Sequence, residues 1–283
     1  MKVFINGQIV EREKALISVF DHGFLYGDGV FEGLRAYNGR VFRLKEHVNR
    51  LYESAKAIEL EIPMEKQAME DAITSLVREN KLQDAYIRPV VSRGEGPLGI
   101  DPDNCSRATV VIIVTDIKVH SEEVYRKGLK IVTASTRRIV ADSLSPRIKS
   151  CNYINNILAK LEAKRAGASE AIMLDRNGYV TECTADNVFI VQENKVITPP
   201  PYVGLLKGVT RNAAMEAAAG LGYEVKEEVF TVFDMYTADE CFLTGTAVEI
   251  APVVWIDGKS VGDGKPGRVT HRVRERYIEM TRE

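Results

Sequence analysis

Ser145-Pro146-Arg147-Ile148-Lys149-Ser150-Cys151-Asn152-Tyr153-Ile154-Asn155-Asn156 sets a single lysine ahead of a helical pattern. Apolar residues recur at Ile154, Ile157, Leu158 and Leu161, the i, i+3, i+4, i+7 spacing of one buried helical face. Pro146 favours extended backbone before that helix. This reading puts Lys149 at the positive end of a helix dipole, where a cation is disfavoured and a neutral, nucleophilic amine is favoured. A lone lysine is otherwise a solvated loop residue. What gives Lys149 weight lies downstream, in Glu182, Thr210 and Thr246.

The chain has 283 residues, 45% hydrophobic and 28% charged, enough for one large or two ordinary soluble domains. A formal net charge of −2 gives no electrostatic case for nucleic acid or a membrane surface. Cys105, Cys151, Cys183 and Cys241 form no CxxC pair, and His22, His47, His120 and His271 form no metal-type pair. We therefore expect neither a disulfide framework nor a bound metal. Met1-Lys2-Val3-Phe4 lacks the apolar core of a signal peptide and no run is long enough to span a bilayer, so the expected compartment is the cytoplasm.

Working outward from the lysine, Asn-Gly or Asp-Gly pairs at 6–7, 38–39, 177–178 and 257–258 predict type I′ hairpins. They favour antiparallel pairing over a doubly wound parallel sheet. Helices are predicted through Leu44, Val48, Leu51, Ala55 and Ile58, and from about Glu65 to Asn80 with Ala68, Ala72, Ile73 and Leu76 inward. Tyr86-Ile87-Arg88-Pro89-Val90-Val91-Ser92 reads as a strand. Gly94-Glu95-Gly96-Pro97-Leu98-Gly99 matches GxGxxG, but Ile100-Asp101-Pro102 behind it cannot open the helix a dinucleotide site needs. A polar stretch after Asp116 is the expected linker. Beyond it come strands near 129–133, 170–174, 179–183, 187–191, 195–198, 224–229, 240–244 and 249–256. A helix N-capped by Thr210 and a C-terminal helix from about Arg268 complete the pattern.

A cofactor carrying an aldehyde, a pyridine ring and a phosphate needs a lysine for a Schiff base, a carboxylate for the ring nitrogen and an anion cup. Glu182 falls where an inward position should be apolar, although alone it also reads as a surface residue at a strand end. Gly208-Val209-Thr210 offers helix-start amides to an anion, or simply caps a helix. Gly245-Thr246-Ala247 is a second glycine turn with a hydroxyl. Arg50 reads locally as one half of an exposed ion pair.

Together and in this order these pieces resemble the fold-type IV pyridoxal-phosphate aminotransferases, and most closely the branched-chain-amino-acid aminotransferases. The resemblance runs from Asn6-Gly7 to at least Pro252. It rests on Tyr26-Gly27, Val30-Phe31-Glu32-Gly33-Leu34-Arg35, Tyr86-Ile87-Arg88-Pro89, Lys149 to Tyr153, Thr181-Glu182, Gly208-Val209-Thr210-Arg211 and Gly245-Thr246-Ala247-Val248-Glu249-Ile250. It implies an α+β fold of the D-amino-acid aminotransferase type, with mostly antiparallel or mixed sheets and flanking helices. The expected parts are an N-terminal domain 1–117, a linker 118–128 and a C-terminal domain 129–283 carrying the lysine.

The resemblance also implies a cofactor, pyridoxal 5'-phosphate, and roles around it. Lys149 is the catalytic residue, holding the cofactor and shuttling a proton. Glu182 pairs with the pyridine nitrogen and Tyr153 with the phenolic oxygen. Arg50, Val209, Thr210 and Thr246 hold the phosphate. Tyr86, with the amides of Thr246 and Ala247, takes the substrate α-carboxylate. Phe31 lines the side-chain pocket, Tyr26 and Arg88 meet the distal carboxylate of glutamate, and Arg35 belongs to the same substrate-binding set. The implied reaction exchanges an amino group between Leu, Ile or Val and 2-oxoglutarate, in a homodimer or larger homo-oligomer with a neighbour's loop near the site.

Two departures stand out. The Lys149-x-x-x-Tyr153 spacing is one residue shorter than in some family members, and Pro97 interrupts the 94–99 loop. D-amino-acid aminotransferases carry an arginine and a histidine in that loop, where this chain has Pro97-Leu98-Gly99-Ile100. An aminodeoxychorismate lyase would show Phe-Thr-Thr in place of Phe31-Glu32-Gly33. A non-catalytic binding protein on this scaffold would not need Lys149 and Glu182.

Overall fold

The computed structural model describes residues 1–117 and 122–283. They form two compact units. One takes in the chain up to residue 117 together with Ile148–Asn152; the other takes in the rest. Sequence alone assigned Lys149 to the second part. Backbone pairing explains why its short segment goes with the first: Phe31 N donates to Lys149 O at 2.9 Å and Cys151 N to Gly29 O at 2.8 Å. Of the expected linker 118–128, residues 118–121, with Lys118, His120 and Ser121, lie outside the described residues.

The first unit runs β1 (Lys2–Ile5), β2 (Gln8–Glu11), α1 (His22–Tyr26), β3 (Gly29–Phe31), β4 (Leu34–Tyr37), β5 (Arg40–Val41), α2 (Leu44–Ala57), α3 (Lys66–Glu79), β6 (Ala85–Ser92) and β7 (Thr109–Thr115). Its seven strands pair antiparallel in the order β2-β1-β7-β6-β4-β5, with β3 also beside β6. Asn6 and Gly7, at φ 47° and 90°, and Asn38 and Gly39, at 50° and 77°, adopt the left-handed pairs that type I′ turns require. Helix α2 buries Val48, Leu51 and Ala55, and α3 buries Met69, Ile73, Leu76 and Val77. Ala68, expected inward, is exposed and Ala72 is half-buried: α3 starts at Lys66 with its face centred on Met69. Each fully buried side chain of this size contributes about 1.5–3 kcal/mol. Strand β6 alternates as half-buried strands do, Ile87 facing the core and Tyr86 and Arg88 the opposite side. No α-helix follows the 94–99 glycines; a single 3-10 turn, Pro102–Asn104, does.

The second unit runs α4 (Glu122–Lys127), β8 (Leu129–Thr133), α5 (Ile154–Arg165), β9 (Glu170–Leu174), β10 (Val180–Cys183), β11 (Asn187–Gln192), β12 (Lys195–Thr198), α6 (Val209–Gly220), β13 (Glu224–Glu227), α7 (Val232–Thr237), β14 (Glu240–Gly245), β15 (Glu249–Ile256), β16 (Lys259–Ser260) and α8 (Arg268–Arg282). Its nine-stranded sheet is mixed, in the order β10-β9-β8-β15-β14-β11-β12-β13, with β16 beside β15. Parallel pairs join β8 to β9 and β15, and β12 to β13. The core includes the Phe189 and Phe242 rings, stacked 4.8 Å apart. Asp257-Gly258 forms the expected turn, but at Asn177-Gly178 only Gly178 is left-handed, at φ 90°. There Asp175 Oδ1 accepts from the amides of Asn177 and Tyr179, both at 2.8 Å, and builds a longer turn.

Two helix readings change. Helix α5 buries Asn156, Ala159 and Ala163, while the apolar stripe Ile154, Ile157, Leu158 and Leu161 is 40–64% exposed. Ala159 and Ala163 pack on Ala134, Ala171 and Met173, a close approach that only small side chains allow. Helix α6 is N-capped by Gly208; Thr210 lies inside its first turn. No helix among the described residues is long and apolar enough to cross a membrane.

Candidate active site

Lys149 lies five residues ahead of α5, beyond the first turn in which a helix dipole acts, so the field argument drawn from the sequence does not apply. Its backbone is pinned instead. Its carbonyl accepts from Phe31 N and its amide donates to Ser54 Oγ at 3.1 Å, while Val30 and Ser150 form a β-bridge. Lys149 Nζ sits 4.9 Å from the centroid of the Phe31 ring. Two residues on, burial pushes the Cys151 thiol up to about 11.

The Arg88 guanidinium lies over the same Phe31 ring at 4.5 Å, and its Nη2 donates to Tyr86 Oη at 2.6 Å. Arg88 Nε is buried with no hydrogen-bond partner among the described residues. The structure thus brings Lys149, Phe31, Tyr86 and Arg88 together. Gly33 is part of the arrangement, because an added Cβ would run into Tyr86 Oη. Arg35 pairs in register with Tyr86 across β4 and β6, and its guanidinium lies 4.4 Å from the Tyr37 ring.

Tyr26 contacts the 94–99 loop. Its hydroxyl accepts from Gly99 N at 2.9 Å, and its ring meets His22 edge-on at 5.0 Å. His22 Nε2 lies 3.0 Å from Pro97 O, and Gly96 N donates to Phe20 O. The segment around α1 therefore ties down the loop through Pro97 and Gly99.

Arg50 also departs from its local reading. It makes a buried two-point ion pair with Glu32, Nε to Oε1 at 2.6 Å and Nη2 to Oε2 at 2.9 Å, and His47 Nδ1 donates to Oε2 at 2.8 Å. Glu32 is thus the acid that Arg50 is paired with. Burial alone would raise the Glu32 carboxyl, but Arg50 and the His47 bond hold it well below the usual carboxylate range. Burial holds His47 below its ordinary value and outweighs the pull of Glu32; Arg50 and Lys149 act in the same direction as burial. His47 stands three residues from Arg50 on α2, an i, i+3 spacing that was available in the sequence.

In the second unit Glu182 is 5% exposed and accepts hydrogen bonds from Arg138, Asn187 and Leu206. Arg138 Nε donates to Oε1 at 2.8 Å, and Leu206 N and Asn187 Nδ2 to Oε2 at 3.0 and 3.3 Å. Arg138 Nη1 also reaches Asn155 and Asn156 Oδ1. Sequence reasoning missed Arg138, which sits in an irregular stretch with no periodic or motif signal. Val209 and Thr210 open α6, so their amides have no intrahelical acceptor and face an anion favourably. Thr246 and Ala247 form the turn between β14 and β15. Tyr153 is the N-cap residue of α5.

These residues fit a phosphorylated pyridine aldehyde. The first unit by itself supplies an amine and an arginine held by a buried acid, and the second a pinned buried carboxylate and a helix start; these are the donor types such a group needs, and Arg88 Nε in the one and Thr244 Oγ1 in the other are buried polar atoms without a partner among the described residues. Among the described residues no group of three His, Cys, Asp or Glu could hold a metal.

Residues 29–256 match the family model of amino-transferase class IV. The chain belongs to the class IV aminotransferases. A Methanocaldococcus jannaschii protein shares 48% identity with this class IV aminotransferase over 280 residues, 99% of this chain and 96% of that one. The branched-chain-amino-acid aminotransferase of Pseudomonas aeruginosa shares 36%, covering 98% and 92%. The branched-chain amino acid aminotransferase of T.th., solved with pyridoxamine 5'-phosphate, superposes with a TM-score of 0.95 at 40% identity over 98% of this chain and 93% of that one. The same T.th. enzyme has been solved with N-(5'-phosphopyridoxyl)-L-glutamate and with 4-methylvaleric acid.

Proposed function

We propose that this class IV aminotransferase transfers an amino group between the branched-chain L-amino acids Leu, Ile and Val and 2-oxoglutarate, with pyridoxal 5'-phosphate as cofactor. One observation carries the substrate reading. A single wall presents the Phe31 ring, the Arg88 guanidinium above it and the Tyr86 hydroxyl beside it, next to Lys149 Nζ. An aliphatic chain finds an aromatic face there, and a distal carboxylate finds a cation whose Nε lacks a partner among the described residues. The T.th. enzyme's complexes with a glutamate adduct and with 4-methylvaleric acid support one site serving both.

When bound, the cofactor supplies an electron sink for the charge that develops at the substrate Cα. Lys149 Nζ would hold the cofactor and would move the proton at the substrate Cα. Glu182, paired with Arg138, would hold the pyridine nitrogen, and Tyr153 would donate to the phenolic oxygen. Arg50, the amides of Val209 and Thr210, and Thr246 bind the phosphate. Tyr86 and the amides of Thr246 and Ala247 orient the α-carboxylate, and Tyr26, Arg35 and Arg88 complete the substrate set. Burying a carboxylate without a partner is very unfavourable, so Arg88 is what allows glutamate into a pocket shaped for leucine.

The enzyme self-associates in this reading. Its support is the exposed stripe of α5 and a second apolar group, Leu16, Val19, Phe24, Leu98 and Ile100, each more than 65% exposed. Both are the kind of apolar surface that marks an interface. Four free cysteines suit a reducing cytoplasm. The test is a panel of L- and D-amino acids with 2-oxoglutarate, run beside light scattering. L-Leu, L-Ile and L-Val are expected as the best donors, on an oligomer. A preference for D-amino acids overturns the substrate reading, and a monomer at micromolar concentration overturns the assembly.

A further inference from the structure

Asn187 lies at the first position of β11, 5% exposed, between the two parts of the second unit that this reading gives to opposite ends of the cofactor. Its Nδ2 has two hydrogens and two acceptors. One is Glu182 Oε2 at 3.3 Å, on the carboxylate assigned to the pyridine nitrogen. The other is Leu206 O at 2.9 Å, on the turn that leads into α6 and its phosphate-facing amides. The two acceptors are themselves joined, because Leu206 N donates to the same Glu182 Oε2 at 3.0 Å. On its other side Asn187 Oδ1 fills the space beside Gly208, the N-cap of α6, where an added Cβ would run into it. Its backbone pairs with Thr244, two residues before Thr246.

A buried amide with both donors used is rigid, and its neighbours inherit that rigidity. A neutral side chain is required here. A carboxylate in its place would face Glu182 Oε2 and Leu206 O with no hydrogen to give, and a longer amide would overpack against Gly208.

We infer that Asn187 is a positioning residue that locks the Glu182 carboxylate and the Leu206–Gly208 turn into one unit, setting the distance between the ring-nitrogen contact and the phosphate contact. This rests on the pyridoxal-phosphate reading above. Asn187 touches neither substrate nor reacting atom; it acts through Glu182 and through the start of α6.

The test uses the full-length protein, stripped of cofactor and titrated with pyridoxal 5'-phosphate, in four forms: wild type, Asn187→Ala, Gly208→Ala and the double variant. Asn187→Ala is expected to raise the cofactor Kd about 10- to 100-fold, the effect of losing a hydrogen bond to a charged group. It should also shift the pH titration of the bound cofactor's visible band, because Glu182 no longer holds its orientation. The kcat of the half-reaction should fall with little change in KM. Gly208→Ala displaces the same amide from the other side, so the double variant should bind no more weakly than the worse single variant. A cofactor Kd within about twofold of wild type in Asn187→Ala, with only the apoprotein melting temperature lowered, makes Asn187 structural and overturns the inference. Fully additive losses do the same. If Asn187→Ala yields no folded protein, Gly208→Ala decides: weaker cofactor binding with an unshifted pH titration overturns the coupling. A wild-type protein that takes up no pyridoxal 5'-phosphate sinks the cofactor reading itself, a distinct result.

Discussion

The Glu32 carboxylate receives two hydrogen bonds from the Arg50 guanidinium, at 2.6 and 2.9 Å, in a site where Glu32 is wholly buried. Arg50 can meet a phosphate only from the position this pair dictates. His47 shares the acid and sets the pH response. Its folded-state affinity for a proton lies below the ordinary 6.5, and that of Glu32 below 4.5. In both cases the unfolded chain binds the proton more readily. Their contribution is therefore complete above pH 6.5 and drains away as the pH falls, through His47 first and Glu32 in stronger acid. Apoprotein melting temperature should decline below that point, and His47→Gln, which keeps a donor but cannot titrate, should flatten the first part of the decline. An unchanged slope would show that other groups set it. Glu32→Ala should cost up to about 3–5 kcal/mol, since it leaves His47 and a partly buried arginine without their anion.

Lys149→Ala should abolish amino transfer and leave the fold intact. The bonds that pin this position, to Phe31 N and Ser54 Oγ, are made by backbone atoms that alanine also has. Thermal melting of the apoprotein should match wild type within a few degrees. Borohydride treatment should no longer trap cofactor on the protein. Trapping at another lysine would move the attachment point.

Glu182→Gln should slow single-turnover amino transfer and also destabilise the fold. Arg138 is buried and loses its anionic partner, although Asn155 and Asn156 still accept from its Nη1. The loss should sit near the lower end of the roughly 3–5 kcal/mol typical of a broken buried pair. Adding Arg138→Gln should recover melting temperature without recovering rate. Recovery of both would assign Glu182 to the fold alone.

Arg88→Ala should damage the half-reaction with glutamate far more than the one with leucine. A buried carboxylate without a counter-charge loses about 3–5 kcal/mol, a hundredfold or more in specificity. Leucine loses packing over Phe31 and the anchoring of Tyr86. Tyr26→Phe should show a weaker bias, because the Tyr26 hydroxyl already accepts from Gly99 N and its removal also loosens that loop. Stopped-flow measurement of each half-reaction decides; equal losses on both substrates would make Arg88 a general support for the site.

Most of the strands were legible because their signals are local. Alternation, Asn-Gly turns and motif order all survive without knowledge of the neighbours. What was misread depends on packing partners. The apolar spacing on α5 is real, but Ala159 and Ala163 win the buried face because β9 lies close enough to admit only small side chains. Thr210 looked like a cap from its residue type, yet the chain turns at Gly208, where Asn187 occupies the space of a side chain. Arg138 gave no signal at all: its role arises 44 residues away, at Glu182. Arg50 looked like a surface charge because nothing near it in sequence shows that Glu32 is buried beneath it.

The bare Cα of Gly33 leaves room that the Tyr86 hydroxyl fills, and that hydroxyl in turn receives Arg88 Nη2. If that wall receives substrate as proposed, position 33 becomes, for an evolving lineage, a dial on substrate choice set from behind the wall. One added methyl evicts the hydroxyl, frees the arginine and redraws the pocket wall in a single codon change. Directed libraries that vary only the residues lining the pocket would pass over the shortest route by which its preference can drift.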